Sequence, residues 1–411
     1  MTEQHVPPVR HLPRRHLTAA VCCLFAALPA YAEPAPQERF HDPEADAPYA
    51  VWDSKPALTM RPLILDPSGS SAVIEWMTDS DADGTVHWGE GSLDHVSVAQ
   101  HDGLLDVGTL HRVVVEGLKP GHTYKYQVAS RRVVALRPYW PERGSTVQSD
   151  PATFRTLDSA AKSVRFAVMT DTHEKVSRIG KLVARIDPGT VDFVVHNGDA
   201  VNYATSEQQI KDVFLAPMSS ALKGTTPLIF ARGNHEYRGP YARELGRYFK
   251  GPEETYDFSR DAGPVHFIVV DTGEDKPDET NVYAGLNDVK QYREREFQRF
   301  GHLLAEPGVA KASFRVILAH QKDFGWLDGH NDAWMSAANQ AGVDLVIAGH
   351  EHRFEHIKPG LLYGNRFPIL VVGQDQVARV EVDAKALKVV VLAADGSTVD
   401  SFTLKPRRGG E

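Results

Sequence analysis

The chain has 411 residues, a formal net charge of −9 at pH 7, two cysteines, and 42% hydrophobic and 24% charged residues. That length exceeds one ordinary domain and predicts two. The acidic balance argues against a protein that grips a nucleic-acid backbone, which carries a basic footprint; anionic substrates stay open, because divalent cations reverse the local sign of a pocket.

Residues 1–32 read as a secretory signal. Arg10, Arg14 and Arg15 precede an apolar stretch at 17–28, and Ala30-Tyr31-Ala32 forms a small-residue cleavage site before Glu33. The run is too short to span a bilayer. Arg14-Arg15 hints at a twin-arginine route, with general secretion the alternative. Both cysteines, Cys22 and Cys23, fall in this segment and no lipid-anchor motif precedes them, so the mature chain is predicted without a disulfide and with a net charge of about −11. A periplasmic or secreted location follows. Residues 33–55 form a polar, Pro- and Ala-rich lead-in.

Residues 56–157 show short strands separated by turns, the pattern of an all-β sandwich. Strands are predicted at 72–77, with Trp76 in the core, and at 84–89, 111–115 and 123–129. Tyr124 and Tyr126 follow the Pro120-Gly121 turn, the placement of a tyrosine corner. Residues 131–143 are expected to form a long hairpin. A linker at 158–163 leads into residues 164–405, where strands and helices alternate, and 406–411 is a tail.

Five apolar β-type runs in this second region, at 164–170, 191–197, 227–232, 314–319 and 343–348, each end in oxygen or imidazole ligands. In order these are Asp171-Thr172-His173, Gly198-Asp199, Gly233-Asn234-His235-Glu236, His320, and Gly349-His350-Glu351-His352. Functional groups of open α/β sheets collect at the carboxyl ends of strands, so five such ends build one pocket. No thiol belongs to the set. Carboxylate and amide oxygens mixed with imidazole suit Mn, Fe or Zn, and the set is too rich for one ion. Two ions can clamp the attacking and leaving oxygens of an in-line displacement, with Asp199 as the natural bridging carboxylate. Any one of the 19 histidines is by itself a core or surface residue by default; His196, mid-run in a buried strand, is read that way.

The ordered motifs resemble those of the calcineurin-like metallophosphoesterase superfamily. The resemblance implies an α/β catalytic domain built as an αββα sandwich of two mixed sheets flanked by helices. It implies that Asp171, His173, Asp199 and His352 hold one divalent transition-metal ion, and Asp199, Asn234, His320 and His350 a second. His235 would contact the phosphate and protonate the leaving oxygen, a role suited to imidazole, while a metal-bridging hydroxide attacks phosphorus. Residues 56–157, with Trp88-Gly89 and Phe154-Arg155-Thr156, resemble the fibronectin type III-like N-terminal domain of purple acid phosphatases. That subgroup has D-x-G at the first motif and a tyrosine ligand three residues after the Gly-Asp aspartate. Here His173 and Asn202 stand at those places, which implies no phenolate ligand, no purple colour and no obligatory ferric ion.

Substrate contacts are expected from Asn234, His235, Tyr203 and His330, the last ten residues past His320. Residues 236–257 hold Arg238, Arg243 and Arg247, any of which could meet a phosphate oxygen, although a solvated helix face is the default for each. Residues 271–288 read as an acidic surface loop, and Arg353 as a structural salt-bridge former. A helix begins at Ser206, capped against Gln209, with Ile210, Val213 and Phe214 as its core stripe; another covers 292–304. Strands at 367–372, 378–382, 387–392 and 399–404 are expected to complete the second sheet. The function so implied is hydrolysis of small phosphate monoesters. The alternatives are phosphodiester or nucleotide hydrolysis at the same metals, and a non-catalytic binding or adhesion protein on the same fold, which the intact ligand set disfavours.

Overall fold

The computed structural model describes residues 54–407 except 140, 252 and 326–330. The signal segment, most of the lead-in and His330 therefore lie outside the described residues.

The N-terminal region is all β: β1 (Leu58–Leu65), β2 (Ser71–Gly89), β3 (His95–Val98), a small hairpin of β4 (Gln100–His101) and β5 (Leu104–Leu105), β6 (Val107–Glu116), β7 (Thr123–Ala135), β8 (Glu142–Gln148) and β9 (Ala152–Arg155). The runs at 72–77 and 84–89 are two halves of one 19-residue strand. A register shift between Met77 and Ala82 lets the first half pair with β1 and β6 and the second with β3 and β7. A break in register of this kind, here three extra residues on β2 against β6, carries a strand from one layer of a sandwich to the other. Trp76, Val86, Val113, Tyr126 and Val128 fill the space between the layers. The tyrosine corner is present: the Lys119 backbone N–H donates to the Tyr124 hydroxyl at 2.8 Å. Residues 131–143 do form a hairpin, between β7 and β8.

Glu75 is an exception in this core. Its side chain is fully buried, and neither carboxylate oxygen has a hydrogen-bond partner among the described residues; Arg112 Nε lies 3.6 Å away. Burial outweighs the pull of Arg112 and pushes the carboxyl up to about 8. The native state thus keeps a proton that the unfolded chain releases above about pH 4.5, so stability falls as pH rises from there through 8. Glu75→Gln is expected to remove that decline and to stabilise the protein at pH 8 by up to roughly 4 kcal/mol relative to pH 4.5. Thermal denaturation of both proteins across this range is the check; parallel pH profiles would contradict it.

The second region contains β10 (Ser163–Met169), α1 (Val176–Ile186), β11 (Phe193–Asn197), α2 (Glu207–Ile210), α3 (Ala216–Leu222), β12 (Leu228–Ala231), α4 (Gly246–Phe249), β13 (Phe258–Ala262), β14 (Val265–Val270), α5 (Val289–Leu304), α6 (Pro307–Lys311), β15 (Phe314–Ala319), α7 (Asn331–Gln340), β16 (Leu345–Ala348), β17 (Glu355–Ile357), β18 (Ile369–Val371), β19 (Gln376–Asp383), β20 (Leu387–Ala393) and β21 (Thr398–Leu404). One sheet runs β21-β20-β19-β10-β11-β12, the other β13-β14-β15-β16-β18-β17. Parallel strands occupy the middle of each, β10-β11-β12 and β14-β15-β16-β18. Their near-continuous Val, Ile and Leu runs reflect burial on both faces. Phe166, Phe193, Val195, Phe267, Val316 and Ile347 pack between the sheets. Helix α1 seals the outer face of the first sheet with Ile179, Leu182, Val183 and Ile186, spaced for one helical stripe. Helices α5 and α7 cover the second sheet with Phe300, Leu303, Trp334 and Ala338. This is the expected αββα sandwich beside an all-β domain.

Two expectations need correction. Ile369–Val371 joins the second sheet, but β19, β20 and β21 form an antiparallel meander on the edge of the first sheet, beside β10. Alternation specifies which face of a strand is buried but not which sheet edge receives it. The capped helix is also interrupted: Ser206 accepts from the Gln209 backbone N–H at 3.2 Å as expected, but residues Lys211–Leu215 widen into a π turn before α3. Pro217 lacks the N–H that a regular helix would use there.

The two regions are stitched together. Leu65 of β1 pairs with Leu228 of β12, the buried Tyr126 hydroxyl donates to the Gly224 carbonyl at 2.7 Å, and Ser219 Oγ donates to the Arg61 carbonyl at 2.7 Å. Among the described residues no helix is long and apolar enough to cross a membrane.

Candidate metal centre

The site is built from strand ends. β10, β11 and β12 of the first sheet deliver Asp171, His173, Asp199, Asn234 and His235; β15 and β16 of the second deliver His320, His350 and His352. Asn197 joins the two sheets underneath, donating from Nδ2 to the carbonyls of Ala319 (3.0 Å) and Ile347 (3.2 Å). Asp171, His173, Asp199, His350 and His352 all have positive φ, between 44° and 70°. Left-handed backbone is sparsely populated by non-glycine residues and clusters at functional sites, where the surrounding fold must hold it. Glycines precede three of the motifs because the chains approach closely. A Cβ at Gly198, itself at φ 91°, would collide with the His320 ring, and one at Gly349 with Thr170 Oγ1 and Asp171 Oδ2.

Asp171 Oδ2 accepts from Thr170 Oγ1 (2.7 Å) and from the His350 backbone N–H (3.0 Å). Its Oδ1 is buried and has no hydrogen-bond partner among the described residues. It lies 3.4 Å from His352 Nε2 and 3.6 Å from His173 Nε2. Asp199 has the same division: Oδ1 accepts from the His235 backbone N–H at 3.0 Å, whereas Oδ2 is buried and unpartnered among the described residues. That oxygen faces His320 Nε2 at 3.2 Å and His173 Nε2 at 3.7 Å. His173 and His352 point their Nε2 atoms at each other, 2.9 Å apart. His350 Nδ1 and Asn234 Oδ1 meet at 3.0 Å. His320 donates from Nδ1 to the Asn197 carbonyl at 2.7 Å, which turns Nε2 toward the pocket.

Two groups of side chains can therefore hold a metal ion: Asp171, His173, Asp199 and His352, and Asp199, His320 and His350, with Asn234 beside the second. Buried polar atoms normally find partners, and carboxylate oxygens and imidazole nitrogens converging without them are the donor set for hard-to-borderline cations. Electrostatics agrees. Burial opposes the charge of Asp171, yet His173 and His352 beside it and the charge of His320 hold its carboxyl far below the usual range. Burial likewise opposes the imidazolium of His320, but Asp199 pushes it up to about 10. The two aspartates demand positive charge in the pocket.

The support around this centre was only partly visible in the sequence. Glu236, fully buried, accepts from the backbone N–H groups of Gly233 (2.8 Å), Asp199 (3.0 Å) and Ala200 (2.8 Å), clamping the second motif to the third. Arg178 on α1 donates from Nη1 to the Asp171 carbonyl (3.0 Å) and from Nε to Asp375 (2.8 Å). His235 donates from Nδ1 to the Asn202 carbonyl at 2.7 Å, so Asn202 serves the site through its main chain. Tyr203, expected as a substrate contact, is 56% exposed on the same loop. The loop opening at 271 is not simply solvated: Asp271 is fully buried and accepts from Tyr237 (2.9 Å) and Tyr292 (3.0 Å), with Arg232 stacked 3.5 Å over the Tyr237 ring. His196 is a core residue, stacked on Phe230 and bonded to Thr172 at 3.0 Å. Arg353 pairs with Glu355 on the surface at 2.8 Å.

Residues 164–354 match the model of the calcineurin-like phosphoesterase family, and residues 63–156 that of the purple acid phosphatase N-terminal domain. The second region is thus similar in sequence to the calcineurin-like phosphoesterases. Human acid phosphatase type 7 is 25% identical over 277 residues, covering 61% of this chain and 57% of the human protein. The zebrafish protein of the same name is 24% identical over 327 residues, 71% of this chain and 69% of its own. Thus the aligned part spans little more than half of the human relative. Among solved structures, a purple acid phosphatase from yellow lupin seeds superposes with a TM-score of 0.65 at 18% identity, over 84% of this chain and 74% of that one. This likeness shows the fold shared by the two, a β domain followed by an α/β domain.

Proposed function

We propose that the protein is a dinuclear metal-dependent phosphoesterase that hydrolyses small phosphate monoesters outside the cytoplasm. Asp171, His173, Asp199 and His352 hold one divalent ion and Asp199, Asn234, His320 and His350 the other. The observation that carries this reading is Asp199 Oδ2, buried, unpartnered among the described residues, and facing both groups at once. With Oδ1 taken by the His235 N–H, Oδ2 is the oxygen that would be left to a metal ion. Ions so placed supply Lewis acidity to the attacking and leaving oxygens of an in-line displacement.

The remaining work belongs to the chain. The Asn202 carbonyl accepts from His235 Nδ1 and so holds the ring by that edge; as an imidazolium, protonated on both nitrogens, His235 would give its Nε2 proton to the departing alkoxide and keep the one on Nδ1. Asn234 Nδ2, buried and without a partner among the described residues, is free to donate to a phosphoryl oxygen. Tyr203, exposed on the loop after Asp199, would meet the organic part of the ester. No serine or cysteine nucleophile is needed. His173 would fill the coordination place that the purple subgroup gives to a phenolate, which favours a pair of divalent Mn, Fe or Zn ions. Similarity to acid phosphatases supports the monoester preference, and the signal at residues 1–32 supports export.

Loaded with Mn, Zn or Fe, the purified protein is expected to turn over p-nitrophenyl phosphate faster than bis-p-nitrophenyl phosphate. Faster diester turnover would make it a phosphodiesterase. No hydrolysis of either ester would leave a non-catalytic binding protein.

A further inference from the structure

Arg238 lies three residues past His235, directly after the short helical turn His235–Tyr237. Its guanidinium is four-fifths buried and held on two edges: Nε donates to Glu274 Oε2 at 2.9 Å, and Nη2 donates to Glu274 Oε1 at 2.6 Å and Asp275 Oδ1 at 2.5 Å. Glu274 is itself fully buried. The remaining corner, Nη1, points to His235 Nε2 at 2.9 Å. The acidic loop therefore does not merely neutralise an arginine. It fixes a planar donor so that its third corner, held only by the His235 ring, reaches Nε2, which lies 3.8 Å from Asp199 Oδ2.

We propose that Arg238 is a substrate-contacting residue whose Nη1 binds a non-bridging phosphoryl oxygen, and that this contact selects monoesters over diesters. The inference rests on the phosphoesterase reading. A monoester dianion presents three non-bridging oxygens, one of which remains for a cation beside His235 after two face the metal ligands. In a diester that position carries a second organic group, and the phosphate bears one charge fewer. A guanidinium anchored on two edges loses little freedom when its third edge takes an oxyanion, and an oxygen arriving between Nη1 and His235 Nε2 exchanges the 2.9 Å hydrogen bond to a neutral ring nitrogen for one to a charged oxygen. A purely structural Arg238 would tie residues 274–275 to the His235 loop and nothing more.

The test is calorimetric titration of metal-loaded protein with inorganic phosphate, alongside metal content and steady-state kinetics on both esters. Arg238→Gln is expected to bind phosphate about 10- to 100-fold more weakly, the loss of one hydrogen bond to a charged group, with metal content unchanged. The ratio of monoester to diester kcat/KM should fall by a similar factor. Because Arg238→Gln leaves Glu274 buried without its cation, Arg238→Gln/Glu274→Gln serves as a charge-balanced second variant and should show the same loss. Phosphate affinity within twofold of wild type in a folded, metal-replete variant overturns the assignment. If the wild type hydrolyses neither ester, the phosphoesterase reading fails, and the phosphate titration still decides whether Arg238 holds the oxyanion.

Discussion

Asp199→Asn is expected to keep its fold, lose tight binding of both ions and lose hydrolysis by roughly a thousandfold or more, the upper range for removing one preorganised electrostatic group. The reason lies in how its carboxylate is divided. Oδ1 accepts the His235 N–H, and Oδ2 faces a histidine of each ligand group, His173 and His320. An amide can keep the shape and one acceptor, but it replaces a full negative charge facing both groups with a dipole. Elsewhere in the centre a substitution removes one donor from one group; here it weakens both. Metal content after dialysis against a weak chelator, with circular dichroism as the fold control, separates loss of ligation from unfolding. Retention of both ions would show that Asp199 is not shared.

His235→Ala gives the second large effect, of a different kind. Turnover should fall about 10²- to 10⁴-fold, the usual contribution of a positioned general acid, while both ions remain. His235 sits beside the centre: Nε2 is 3.8 Å from Asp199 Oδ2, and its Nδ1 is committed to the Asn202 carbonyl. The dependence on leaving group sharpens the prediction. Esters with good leaving groups such as p-nitrophenol need little protonation and should suffer least, and alkyl phosphates most. Loss of metal in this variant would instead make His235 a ligand. The backbone N–H of residue 235, which holds Asp199 Oδ1, survives the substitution, so positioning of Asp199 is not confounded.

Much of this centre was legible in the sequence because its parts are local. Each strand announces itself as an apolar run, each ligand follows within a few residues, and the preceding glycines mark backbone close approach, as Gly198 and Gly349 demonstrate. All seven expected ligands, Asp171, His173, Asp199, Asn234, His320, His350 and His352, are brought together. What escaped was long-range. Arg238 is one of several arginines between 236 and 257, and only its meeting with Glu274 and Asp275 distinguishes it. Asp271 reads as the start of a solvated acidic loop until Tyr237 and Tyr292 close over it. The meander β19-β20-β21 was placed on the wrong sheet, because strand alternation carries no address. Glu236 acts on the backbone N–H groups of the Asp199 loop, and Asn202 acts on the His235 ring through its own carbonyl, which no residue type at those positions signals.

The central claim is that one chain holds two ions through a single shared aspartate, and elemental analysis after metal loading and desalting tests it most directly. The account predicts about two equivalents of divalent metal per chain in the wild type and a fall in both, together, in Asp199→Asn. One equivalent or none in the wild type, or two retained in the variant, would contradict it.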